Sequence, residues 1–134
     1  MAVMEPRLHQ IEGATWALET IRKHGLAYLS WQERTGKTLT ALLTVENSMA
    51  QNCLIITKKK AIPWWMETLE QWNHKTKFQV INYESAHKVN GNHDFIILDE
   101  SHHAISSTGR PSKTWRIIAK HTKGKAILYL SAAP

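Results

Sequence analysis

Leu26-Ala27-Tyr28-Leu29-Ser30-Trp31-Gln32-Glu33-Arg34-Thr35-Gly36-Lys37-Thr38 is an apolar strand that runs into a Gly-Lys-Thr turn. The residues that follow, Thr38 to Ala50, carry Leu39, Leu42, Val45 and Met49 at helical spacing. Strand, turn, Gly-Lys-Thr and helix together make a phosphate cradle. Backbone N–H groups at a helix N-terminus point at an anion, and the helix dipole favours negative charge there. In such a turn Lys37 reaches the β and γ phosphates and Thr38 offers its hydroxyl to magnesium. The strict phosphate-loop pattern places a glycine where Trp31 stands, so that pattern is incomplete.

A second stretch supplies what the first lacks. Phe95-Ile96-Ile97-Leu98 is a continuous apolar run that ends in Asp99-Glu100-Ser101-His102. Two carboxylates at the C-terminal end of a buried parallel strand lie where ligands of open α/β sheets bind. Asp99 can hold magnesium, and Glu100 can orient and deprotonate an attacking water. A Gly-Lys-Thr at an ordinary helix start and a solvated Asp-Glu at a strand end are each common. Found together they form the minimum set for ATP hydrolysis. His102 reads as a hydrogen-bonding link from the nucleotide site to another element. A zinc site at His102 and His103 lacks further ligands at suitable spacing.

Between and around these stretches, apolar patterning alternates between strand and helix. Leu8, Ile11, Ala14, Leu18 and Ile21 predict an amphipathic helix over 7–23, stopped by Gly25. Cys53 to Thr57 is a strand covered on both faces. Ile62, Trp65, Met66, Leu69 and Trp72 mark a helix with Pro63 in its first turn. Further strands are predicted at Phe78–Asn82, Phe95–Leu98 and Ala126–Leu130, with a helix around Ser112–His121. The alternation argues for an α/β fold, a three-layer α/β/α sandwich around a mainly parallel five-stranded sheet. Trp65 and Trp72 suit core packing better than base stacking.

The bulk composition narrows the class. With 134 residues, 43% hydrophobic and 21% charged, the chain reads as one globular domain. A single cysteine, Cys53, excludes an internal disulfide framework and suits a reducing compartment. No apolar run approaches the ~20 residues of a membrane span, and the N-terminus lacks a secretory signal. A soluble cytosolic protein is the expectation. A net charge of +6 favours a polyanionic partner, most often nucleic acid.

Read in order, these motifs resemble the first RecA-like motor domain of a superfamily 2 helicase, closest to the SWI/SNF-type DNA translocases and their phage relatives. Pro6-Arg7-Leu8-His9-Gln10 resembles the adenine-reading glutamine motif, and Trp31 to Thr38 resembles motif I. Ile55 to Trp65 resembles motif Ia, Val80 to Ser85 motif Ib, Asp99 to His102 motif II in a DEAH-like form, and Ser131-Ala132-Ala133-Pro134 motif III. The resemblance implies a P-loop NTPase fold with Mg·ATP as ligand. It implies that Arg7, Gln10, Glu33, Arg34, Thr35, Gly36, Lys37, Thr38 and Leu39 form the ATP site. Lys37 and Glu100 would be catalytic, Thr38 and Asp99 the magnesium ligands, and His102 and Ser131 the coupling residues. Lys58, Lys59, Lys60 and Tyr83 would touch DNA, duplex rather than single-stranded.

The sequence departs from the family at three places. Arg34-Thr35 stands where many members have Gly-Leu, Lys58 replaces a proline of motif Ia, and Ala133 replaces the threonine of motif III. Motifs IV to VI, with their arginine fingers, are not in the chain. It is therefore expected to need a second RecA-like domain, in cis or in trans, and to hydrolyse ATP slowly or not at all alone. Two rival readings remain at this level. One is a non-catalytic regulator that binds DNA or protein on a truncated motor fold. The other is a small nucleotide kinase, which the Asp-Glu pair and the missing arginine-rich lid disfavour.

Overall fold

The computed structural model describes residues 8–30, 34–72, 75–88, 92–99 and 125–131. The predicted helix around 112–121 lies outside them. The described elements are α1 (Leu8–His24), β1 (Leu26–Ser30), α2 (Arg34–Ser48), β2 (Asn52–Thr57), α3 (Ile62–Gln71), β3 (Lys77–Asn82), β4 (Phe95–Asp99) and β5 (Ala126–Ser131). Two 3-10 segments, Lys59–Ala61 and Tyr83–Lys88, follow β2 and β3.

All five strands are parallel, in the order β1-β5-β4-β2-β3. The α/β fold expected from the alternating pattern is therefore present. Parallel strands need crossover connections, so their apolar runs are covered on both faces. Residues 53–57 of β2 and all of β4 are buried, as their unbroken apolar runs require. Side chains alternate between the two faces. Cys53, Ile55, Phe95, Ile97, Leu128 and Leu130 point into a core shared with α1, α2 and α3. Leu54, Ile56, Ile96 and Leu98 point the other way, onto Tyr83 and Ala86. Each fully buried Ile or Leu contributes about 1.5–3 kcal/mol, so β2 and β4 are the fold's main anchor.

The helices differ from the pattern in detail. The inward face of α1 is Gln10, Ala14, Ala17 and Ile21, while Leu8 is 70% and Ile11 44% exposed. The methyl side chains of Ala14 and Ala17 let the helix lie close to its neighbours, and the bulkier Leu8 and Ile11 are left outside. Gly25 ends α1 with φ +85 and its N–H on the Ile21 carbonyl, a left-handed C-terminal turn that glycine adopts without strain. Met49 was expected on the inner face of α2. Instead it lies just past that helix at φ 62 and is 86% exposed. Pro63 occupies the first turn of α3, where its missing N–H costs nothing.

Candidate nucleotide and metal site

In a parallel sheet every strand ends at the same edge. Here Ser30, Thr57, Asn82, Asp99 and Ser131 close that edge. The helix α2 starts beside it, a few residues after β1. Gly36, Lys37 and Thr38 lie within its first turns rather than in a turn ahead of it. The first N–H groups of a helix have no intrahelical acceptor, which is what lets a helix N-terminus bind an anion. The Gly36 carbonyl instead accepts the Thr40 hydroxyl at 2.8 Å. Lys37 and Thr38 are 4% and 3% exposed, unusual for a lysine and indicative of an inward role. The Leu39 side chain packs into the core.

Asp99 ends β4 and is buried. Its Oδ2 accepts two hydrogen bonds of 2.8 Å, from the Thr57 hydroxyl and from the Trp65 indole Nε1–H. Its backbone carbonyl accepts the Tyr83 hydroxyl at 2.6 Å. Strand register explains the first contact: Ile56 pairs with Leu98, so Thr57 and Asp99 are the next residues out on adjacent strands. The 3-10 segment Lys59–Ala61 turns the chain back so that α3 brings Trp65 over the same carboxylate. Among the described residues Oδ1 has no donor, and it is not sealed from solvent. A carboxylate with one oxygen fixed and the other open at a sheet edge fits a single bond to a hard cation such as magnesium. One strand, β5, separates β1 from β4, so those two strands lie about 10 Å apart at a strand spacing of ~4.8 Å.

The other expected residues fall as follows. Gln10 is 3% exposed on the inner face of α1, not a surface polar residue. Lys59 and Lys60 are exposed and Lys58 half-buried, directly after β2. Tyr83, expected on the DNA track, is 6% exposed, and the Asp99 carbonyl takes its hydroxyl. Its phenol supports the acidic strand instead of facing outward. Arg7, Glu33, Glu100 and His102 lie outside the described residues, as do the side chains of Arg34, Thr35 and Ser131. Trp65 is fully buried, as core packing predicted, and stands edge-on to Trp64 at 5.7 Å. Its indole also holds Asp99, a role that spacing could not reveal because the partners are 34 positions apart. Thr57 was likewise missed. The available signal was a threonine closing an otherwise apolar strand.

A cavity of about 550 Å³ opens at the opposite edge, beside Leu42, Trp72, Lys75 and Phe78. It touches none of the expected site residues. The Trp72 Nε1 is a buried donor with no acceptor among the described residues.

A family model described as "Type III restriction enzyme, res subunit" matches residues 68–134, half of the chain, including Asp99. No curated protein matches in sequence. Among solved structures, the Sulfolobus solfataricus SWI2/SNF2 ATPase core in complex with dsDNA superposes with a TM-score of 0.78 at 15% identity. That match covers 100% of this chain and 35% of the other, so the chain spans about a third of the known structure. At this identity the likeness speaks for the fold.

Proposed function

The chain belongs to the family of the type III restriction enzyme res subunit and has the RecA-like domain of a superfamily 2 helicase; on that premise we propose that it is the ATP-binding first motor domain of a DNA helicase or translocase. Its complete cycle would couple Mg·ATP hydrolysis to movement along duplex DNA. The observation that carries this reading is the Asp99 carboxylate, with Oδ2 fixed by Thr57 and Trp65 and Oδ1 open. It lies at the same sheet edge as the first turn of α2.

In this reading the first N–H groups of α2 and the Lys37 ammonium hold the phosphates. Thr38 and Asp99 would hold a magnesium ion, whose charge would offset that developing on the phosphoryl oxygens. Glu100 orients the attacking water. Arg7 and Gln10 read the adenine, Glu33, Arg34 and Thr35 line the loop, and His102 and Ser131 relay the nucleotide state. Lys58, Lys59 and Lys60 grip the DNA backbone. They lie between Thr57 and Trp65, both bonded to Asp99, which gives a contact path from the DNA to the metal ligand. The SWI2/SNF2 core, which was solved with dsDNA, supports a duplex partner. An arginine finger from a second domain is worth about 10³–10⁵ in rate, so the chain alone turns over very slowly.

Isothermal titration with Mg·ATP tests the reading. The parent chain binds and Lys37→Ala loses binding at least tenfold, while both retain duplex DNA. A parent chain that binds DNA but no nucleotide is a non-catalytic binding module and overturns the proposal.

A further inference from the structure

Trp65 has a second use that the motor reading does not assign. An indole can only donate, through one N–H of fixed direction. In Trp65 that N–H meets Oδ2 of Asp99 at 2.8 Å, alongside the Thr57 hydroxyl at 2.8 Å. Tyr83 holds the backbone carbonyl of the same residue at 2.6 Å. Two elements besides β4, namely β2 and α3, therefore fix the orientation of one carboxylate, and a third holds its backbone. A carboxylate free to rotate would present either oxygen, or both, to a cation. Two donors on Oδ2 remove that freedom. The indole is itself held by full burial in the core between α3 and the sheet, so its N–H direction is not adjustable.

We propose that Trp65 is a positioning residue for metal binding, which with Thr57 clamps Oδ2 of Asp99 so that Oδ1 alone meets the magnesium of Mg·ATP. The inference rests on the proposed nucleotide site. Hydrogen-bond partners of metal-ligating carboxylates are worth about 10–100-fold in metal affinity. The clamp acts only on the metal, so its loss changes the affinity for Mg·ATP and not the affinity for ATP without metal.

The test is calorimetric titration of the parent chain and of Trp65→Phe with Mg·ATP, and again with ATP in excess EDTA. The phenylalanine keeps an aromatic ring in the core and removes only the N–H donor and part of the ring volume. Mg·ATP affinity falls about tenfold in Trp65→Phe, and metal-free ATP affinity does not change. Thr57→Val, which removes the second donor at nearly constant volume, gives the same split and serves if Trp65→Phe does not fold. Equal losses with and without metal mark a merely structural tryptophan and overturn the inference, as does no loss in either. In both cases the motor reading stands, because the parent binds Mg·ATP. A parent chain that binds no Mg·ATP overturns the motor reading and this inference together.

Discussion

The strand β4 is flanked by two aspartates with opposite surroundings. Asp94 precedes it at the N-terminal edge of the sheet and is exposed. Each of its oxygens takes one backbone N–H at 2.8 Å, Gln51 on Oδ2 and Asn52 on Oδ1. Asp99 ends the strand at the other edge and is buried, with both side-chain donors on a single oxygen. Asp94 uses both of its oxygens to tie β4 to the start of β2. Asp99 keeps an oxygen in reserve. The same residue type at the two ends of β4 is thus a brace at one end and, in the proposed site, a ligand at the other. What separates them is how their hydrogen bonds are distributed between the two oxygens.

Exchanging the two roles is the strongest way to break this contrast. In Asp99→Asn the carbonyl oxygen stays with Thr57 and Trp65, because only it can accept. The amide NH2 then faces the cation position and repels it. Mg·ATP affinity is expected to fall about 100-fold, with the melting temperature little changed. A calorimetric titration beside a thermal melt reads both. An Asp99→Asn chain that binds Mg·ATP like the parent removes Asp99 from the metal site.

Asp94→Ala should do the reverse. It strands two backbone N–H groups at the edge, where water can partly replace the carboxylate, and costs about 1–2 kcal/mol in denaturant unfolding. Nucleotide affinity stays at the parent value. The pH dependence carries a sign. Burial pushes the Asp94 carboxyl up, but the N–H groups of Gln51, Asn52 and Asp94 itself, helped by the Lys125 charge, outweigh it and hold the group below its ordinary value. The unfolded chain therefore binds the proton first as pH falls. The stability Asp94 adds is fully present above the unfolded value of about 3.9 and is lost as pH falls through the lower folded value. Asp94→Ala should narrow its deficit against the parent over that window. A deficit that grows below pH 4 contradicts the assignment.

How far the sequence discloses these roles depends on whether a contact is local. The five strands, their parallel class and the motif positions follow from runs of apolar residues and the breaks between them, which are properties of consecutive residues. The clamp on Asp99 joins Thr57, Trp65 and Tyr83 across 16 to 42 positions, and no spacing rule connects them. Tyr83 shows the difficulty. In the chain it follows a strand end, and the resemblance placed it against DNA. In the fold it turns inward, because the 3-10 segment Tyr83–Lys88 packs it against Ile56 and Leu98 and brings its hydroxyl to a carbonyl. The face of α1 was misread for a related reason. The helical period fixes the spacing of a buried stripe, but which stripe is buried depends on how closely the neighbouring elements approach. The alanines decide that only once the sheet is in place.

The smallest expected effect lies at Tyr83, and it separates support of the strand from control of the metal. Tyr83→Phe removes the hydroxyl and keeps the ring in the core. The Asp99 carbonyl lies in β4, which is paired on both sides by β2 and β5. A carbonyl has two lone pairs, and losing one partner costs less than stranding an N–H. The net loss is about 1 kcal/mol, read as a shift of the denaturant midpoint with an unchanged slope. Mg·ATP affinity should change less than threefold, because Oδ2 keeps both of its donors and the carboxylate keeps its direction. If Tyr83→Phe weakens Mg·ATP as strongly as Trp65→Phe does, the backbone of Asp99 rather than its Oδ2 clamp sets the metal geometry. The division between brace and ligand would then run through Asp99 itself.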